Sequence, residues 1–182
     1  MILPIYLYGQ PVLRKTTEDI AEGEMDLKQL VADMWETLVA AEGCGLAAPQ
    51  VGLSKRLFIV DGTELAEDYP ECKDFKKVYV NPQIIEESEE TVCFAEGCLS
   101  LPGISENVVR PATITIRYQD VDFVEHTETL TGFAARIVLH EYDHLEAHVF
   151  TDRVSPIRRQ FCKNKLSNIA KGKVGAHYKT KR

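Results

Sequence analysis

The segment His140-Glu141-Tyr142-Asp143-His144 constrains this chain more than any other. On a helix, positions i and i+4 lie on one face, so both imidazoles can reach a single ion. Glu141 is then rotated by about 100° from His140, beside the ion rather than on it. A general acid/base for an activated water belongs there. Two histidines do not fill a site, because a catalytic metal usually keeps three protein ligands and one open position. His148, Glu146, Asp143 and the five cysteines all compete for the third place.

The surrounding pattern indicates how such a helix is housed. Leu27, Leu30, Val31, Met34, Leu38 and Val39 recur at helical spacing, which predicts a helix of about 16 residues starting near Met25 or Asp26. Gly43 is its expected left-handed stop. Arg56–Val60 reads as a buried strand, and Val78-Tyr79-Val80 as another that closes at Asn81-Pro82. Residues 113–118 alternate with period two and face 123–128 across an acidic turn at 120–122, the pattern of a hairpin. A helix begins at Thr131-Gly132, with Thr131 as cap, and runs unbroken through Leu145. Ser155-Pro156 opens a third, with Ile157, Phe161 and Ile169 as its apolar positions and Gly172 as its stop. Helices and strands do not alternate regularly. The expected class is therefore α+β: short mixed or antiparallel sheets around the helix carrying the histidines, with a C-terminal helix or basic tail.

At 182 residues a single domain spanning 1–182 is expected. No stretch approaches the roughly 18 apolar residues of a membrane span. Residues 1–8 lack the basic start and cleavage site of a signal peptide. An odd number of cysteines argues against a complete disulfide framework, so a reducing, cytoplasmic location is expected. The net charge of −7 is unevenly spread: residues 153–182 hold ten Lys/Arg and no Asp or Glu, while all 28 acidic residues lie before them. An acidic body with a basic extension suggests a nucleic-acid contact.

Two further segments carry chemistry. In Glu96-Gly97-Cys98-Leu99-Ser100, Cys98 is either a metal ligand or a small buried hydrophobe. Cys72, Cys93 and Cys162 read as buried hydrophobes. Gly43-Cys44-Gly45-Leu46-Ala47-Ala48-Pro49-Gln50 is a small-residue loop that lets a ligand approach the backbone, with Gln50 offering an amide donor; a tight packing turn is the plainer reading.

Taken together, the three segments resemble those of the peptide deformylases, which carry G-x-G-x-A-A-x-Q, E-G-C-x-S and H-E-x-x-H in this order. Here the first two begin 53 residues apart and the last two 44 apart. The resemblance covers the chain from Tyr8 to about Phe150. It implies short sheets around a central helix and removal of the formyl group from the N-formylmethionine of newly made bacterial polypeptides. It also implies Cys98, His140 and His144 as metal ligands and Glu141 as the proton-transfer group. Gln50 and the Leu99 backbone N–H are implied as oxyanion donors, and Gly45, Cys44 and Gly97 as the lining of the peptide channel. Donor type alone points to zinc, whereas the resemblance implies Fe2+, with Ni2+ or Zn2+ able to substitute. The family commonly has glycine where this chain has Ala147, which leaves the shape of the helix end open.

Ile137 and Phe133 lie three and seven residues before His140, on the ligand face, where they serve either a methionine pocket or plain core packing. An endopeptidase using H-E-x-x-H and zinc is the rival enzyme. A metal-free RNA-associated module driven by the basic extension is the rival outside enzymes. Neither a membrane nor a DNA partner is expected. The extension either touches the ribosome or is a frayed, soluble tail; in both cases loss of residues 165–182 is expected to spare short-peptide turnover. His126 and His148 read as ordinary polar residues, residues 86–90 as a solvated acidic turn, and Trp35 as partly buried packing.

Overall fold

Leu57, Phe58, Ile59 and Val60 are all fully buried. Successive side chains of a strand point to opposite sides, so this strand must meet apolar material on both faces, and the molecule is built around it. The computed structural model describes all 182 residues. In chain order the elements are β1 (Ile5–Tyr6), α1 (Leu27–Ala41), β2 (Gly45–Ala47), β3 (Leu57–Asp61), β4 (Lys76–Glu87), β5 (Thr91–Cys98), β6 (Leu101–Pro111), β7 (Thr113–Gln119), β8 (Glu125–Thr131), α2 (Gly132–Leu145), α3 (Pro156–Ala170) and β9 (Thr180–Lys181). The main sheet is antiparallel, in the order β2-β3-β4-β7-β8. β5 and β6 pair as a separate antiparallel hairpin, and β9 lies parallel to β1. The expected α+β arrangement around a central helix is the one observed.

The two faces of β3 separate two cores. Leu57 and Ile59 pack with α1 (Leu27, Val31, Met34, Leu38), β6 (Leu101, Ile104, Val108) and α3 (Cys162, Leu166, Ile169). Phe58 and Val60 pack with Tyr79, Ile114, Ile116 and the α2 residues Ala134, Ala135, Val138 and Leu139. α2 is thus apolar toward the main sheet and free to turn its histidine face toward the β5–β6 hairpin.

Several local expectations are corrected. The left-handed residue ending α1 is Glu42 (φ 57°), whose N–H donates to the Leu38 and Val39 carbonyls; Gly43 is needed for packing instead, since a Cβ there would sit 2.9 Å from Leu99 Cδ1. The strand at Val78–Val80 does not close at Asn81-Pro82. It bulges and continues, because Asn81 tolerates φ 51° and its amide pairs with both the N–H and C=O of Ile20. Thr131 occupies the cap position of α2 but makes no capping bond; the Glu71 carboxylate accepts from Phe133 N–H at 2.7 Å in its place. Ser155 does cap α3, accepting from Arg158 N–H. Of the apolar positions expected on α3 only Ile169 is buried: Ile157 and Phe161 are exposed, and Cys162 and Leu166 fill the core instead. Cys93 is exposed rather than a buried hydrophobe, and all five cysteines are free. Glu86 and Glu87 belong to β4, so the acidic turn is shorter than expected. No helix is long and apolar enough to cross a membrane.

The basic extension is neither frayed nor remote. After α3 the chain turns at Gly172 (φ 71°) and returns to β1, where Ile5 N–H donates to Lys179 O at 2.9 Å and Leu7 N–H to Lys181 O at 3.0 Å. Val174 and Tyr178 pack against the core that contains α1.

Candidate active site and metal centre

One turn of α2 presents His140 and His144 on the same face, with ring centroids 5.5 Å apart and planes at 74°. Cys98 ends β5, and its Sγ lies 3.4 Å from His144 Nε2. The ligand atoms of Cys98, His140 and His144 all fall within 4.8 Å of one another. The other candidates for the third place are occupied or distant. Asp143 accepts from Arg110 and Arg153, Glu146 from Arg56, and His148 is exposed beside Asp152. His140 Nδ1 donates to Glu96 Oε1 at 2.8 Å, which leaves its Nε2 free to ligate.

The donor set fits a divalent ion. Burial by itself disfavours the Cys98 thiolate, but the adjacent imidazoles of His144 and His140 outweigh it and bring the thiol down to about 5. Glu141 is 4% exposed, with Oε1 4.0 Å from His140 Nε2 and Oε2 buried without a partner in the chain. A buried carboxylate oxygen left unpaired is costly, so Glu141 is aimed at something the polypeptide does not itself supply. Burial pushes its carboxyl up to about 7, against the pull of His140 and His144. That value lets one group both take and return a proton near neutrality. His144 Nδ1 likewise has no partner in the chain, so on that side the ring is held by packing.

Behind the ligands lies a buried ionic cluster with no sequence signal of its own. Arg110 donates to Glu96 through Nε (2.7 Å) and its second terminal nitrogen (2.9 Å), and to Asp143 through the first (2.8 Å). Arg136 adds a 2.5 Å bond to Glu96 and reaches the Val108 and Val92 carbonyls, tying α2 to the hairpin. Burial works against the Glu96 charge, but Arg110 and His140 hold its carboxyl well below the usual range. Glu96, quoted in the motif only as a neighbour of Cys98, is thus the residue that orients His140.

Two polar groups converge beside Cys98. The Gln50 side chain is 1% exposed. Its Oε1 accepts from Ala47 N–H at 2.9 Å, which turns Nε2 toward Ser100 Oγ (3.2 Å) and Cys98 Sγ (3.6 Å). Leu99 lies in the two-residue turn between Cys98 and Leu101, and its N–H donates to no acceptor of the chain. Gly45 lies on β2 where the groove meets Glu141: a Cβ there would be 2.8 Å from Glu141 Cγ and Oε1. A groove of about 1060 Å³ runs past the site, lined among others by Cys44, Gly45, Gly97, Phe133 and Ile137. Ile137 is buried, while Phe133 stacks on Tyr69 at 4.5 Å. A Cβ at Gly97 would meet only Ile104 O at 3.6 Å, so no clash demands glycine there. The helix end that follows keeps its turn despite the missing glycine, because Ala147 itself takes φ 64°.

Known proteins share this sequence pattern and fold. Residues 2–160 match the sequence model of the polypeptide deformylases. The peptide deformylase of Christiangramia forsetii is 48% identical over 98% of this chain and 95% of its own length, and that of Cytophaga hutchinsonii 45% over 100% and 97%. Among solved structures, the peptide deformylase of Thermotoga maritima superposes with a TM-score of 0.78 at 36% identity, covering 86% of this chain and 99% of its own. An inhibitor complex of the Plasmodium falciparum enzyme gives 0.80 at 32%, covering 92% and 99%. On this match along nearly its whole length, the chain belongs to the polypeptide deformylase family.

Proposed function

We propose that this chain hydrolyses the formamide of N-formylmethionyl peptides and nascent chains, and that Cys98, His140, His144, Glu141, Gln50 and the Leu99 N–H carry the reaction. The observation that bears most weight is the unpaired Glu141 oxygen beside the His140/His144/Cys98 triad. Those three residues would hold one divalent ion, Fe2+ by the family resemblance, with Zn2+ or Ni2+ able to occupy the same donors. When bound, the ion supplies a Lewis acid that makes water a nucleophile near neutral pH. Glu141 takes the proton from that water and delivers it to the departing amine. Charge that develops on the formyl oxygen meets Gln50 Nε2 and the Leu99 N–H, and such donors contribute roughly 3–4 kcal/mol each. Ile137 and Phe133 offer an apolar seat for the methionine side chain. β5 pairs only with β6, so the backbone at Gly97 offers an open strand edge to an extended peptide.

Glu141→Ala should lower formate release from formyl-Met-Ala-Ser by roughly 10²–10⁴-fold while metal content stays at one ion per chain; near wild-type turnover would remove Glu141 from the mechanism. Cys98→Ser should lose metal at native affinity. Metal analysis of protein purified without oxygen identifies the ion. Cleavage of casein or unformylated peptides would instead favour an endopeptidase.

A ribosome contact through the basic extension, in a cytoplasmic setting, belongs to the same proposal. Arg153, Arg158, Arg159 and Arg182 are bonded within the chain, whereas Lys163, Lys165, Lys171, Lys173, Lys179 and Lys181 are exposed. Removal of residues 165–182 would destroy β9 and part of the groove wall, so it is not the neutral deletion first expected. Lys163→Glu with Lys165→Glu isolates the charge: co-sedimentation with ribosomes at low salt should weaken, and equal sedimentation would discard the contact.

A further inference from the structure

Leu99 and Ser100 form a two-residue connection between paired strands, with Cys98 opposite Leu101. Such turns usually rely on residues at positive φ, yet neither Leu99 nor Ser100 has one. Their carbonyls are instead taken by the two ends of the chain. Ser100 O accepts from Tyr8 N–H at 2.8 Å, just past β1. Leu99 O accepts from the Tyr178 hydroxyl at 2.5 Å, two residues before β9. Ser100 Oγ donates in turn to Tyr6 O at 2.7 Å and accepts from Gln50. The turn that carries a metal ligand and an oxyanion donor is therefore clamped from one side by β1 and from the other by the C-terminal segment. That segment also walls the groove through Gly175, Ala176, His177 and Tyr178.

From this geometry we infer that Tyr178 is a positioning residue for deformylation: its hydroxyl holds the Leu99 carbonyl and so aims the Leu99 N–H at the developing oxyanion. The inference rests on the proposed function and concerns a residue beyond position 160, where the match to the family's sequence model ends. Tyr178 is partly buried, and its ring packs on the α1 core, so the hydroxyl is delivered from a rigid base. Burial first, with the nearby Cys98 adding to it, pushes the phenol up to about 12, which keeps it a donor throughout the working range. The strand pairing of β9 with β1 fixes the segment independently of the hydroxyl, so the two roles separate experimentally.

Tyr178→Phe removes only that oxygen. Formate release from formyl-Met-Ala-Ser by the metal-loaded protein should show kcat lowered by about 10-fold, less than the roughly 100-fold or more that follows loss of a whole oxyanion donor, with KM nearly unchanged. In the zinc-loaded protein the Leu99 amide resonance should move while those of Thr180 and Lys181 stay in place. A kcat within about twofold of wild type overturns the inference, since an interaction used in the transition state must appear in kcat. So does a lower kcat with an unmoved Leu99 resonance, or one with displaced Thr180 and Lys181, which would make Tyr178 only an anchor for the tail. If the wild-type protein releases no formate, the proposed function is at fault, and the Leu99 resonance still decides whether Tyr178 sets the turn.

Discussion

Gly45→Ala should disable the enzyme by displacing its general base without touching a metal ligand. A Cβ on residue 45 would lie 2.8 Å from Glu141 Cγ, 2.8 Å from Oε1 and 3.0 Å from Cδ. Carbon atoms in contact sit roughly 3.5–4.0 Å apart, so Glu141 must retreat by about 0.7–1 Å. Its side chain is flexible, but the retreat is itself the injury, because the carboxylate leaves the position from which it reaches both water and amine. A misplacement of about 1 Å in a reacting group costs up to roughly 100-fold in rate. Overpacking adds about 1–3 kcal/mol of destabilisation. Gly45 has an ordinary φ, so backbone strain contributes nothing. The measurements are kcat for formyl-Met-Ala-Ser, metal content, and the same substitution in a Glu141→Ala background, where it should have little further effect on rate. Gly45→Ala with kcat within about twofold of wild type, or with an equal loss in the Glu141→Ala background, would refute the reasoning.

Other perturbations test the scaffold. Arg110→Met removes one cationic partner from each of the buried carboxylates Glu96 and Asp143 and should cost about 3–5 kcal/mol in urea unfolding; a loss below about 1 kcal/mol would show that Arg136 and Arg153 suffice. Ala147→Gly relieves a left-handed alanine and should stabilise by about 1 kcal/mol, raising Tm by roughly 2–4 °C; no rise would mean that the Arg14 bond to Ala147 O already offsets the strain. Burial pushes the Asp152 carboxyl up, but the Arg14 guanidinium and the Val149 N–H together hold it below its ordinary value. Its contribution is therefore complete above roughly pH 4 and lost as pH falls through the lowered value. Because Arg14 is 43% exposed, the effect is under about 1 kcal/mol. The stability gap between wild type and Asp152→Asn should accordingly be flat from pH 5.5 to 7 and close in acid; a gap that widens in acid would contradict the assignment.

What the sequence alone determined is local. The helix that pairs His140 with His144 follows from i, i+4 spacing, and β3 from an unbroken apolar run. The Ser155-Pro156 start of α3 follows from cap chemistry. Motif order and spacing carried the family. What only the tertiary structure decided is which groups meet across the chain. Asp143 and Glu146 sit on or beside the same helix as the histidines, yet Asp143 is claimed by Arg110 of β6 and Glu146 by Arg56, just before β3. Cys98 reaches the ion site because the β5–β6 register brings it there. Glu71 caps α2 from 62 positions away, which no local signal announces. Gly45 is small because a carboxylate from another element occupies the space. The tail had read as solvated charge because Lys and Arg spacing describes its surface, while its placement rests on backbone pairing with β1 and one phenol. Backbone propensity and periodicity act within a few residues, whereas buried charge and close packing are satisfied by whichever partner the fold delivers.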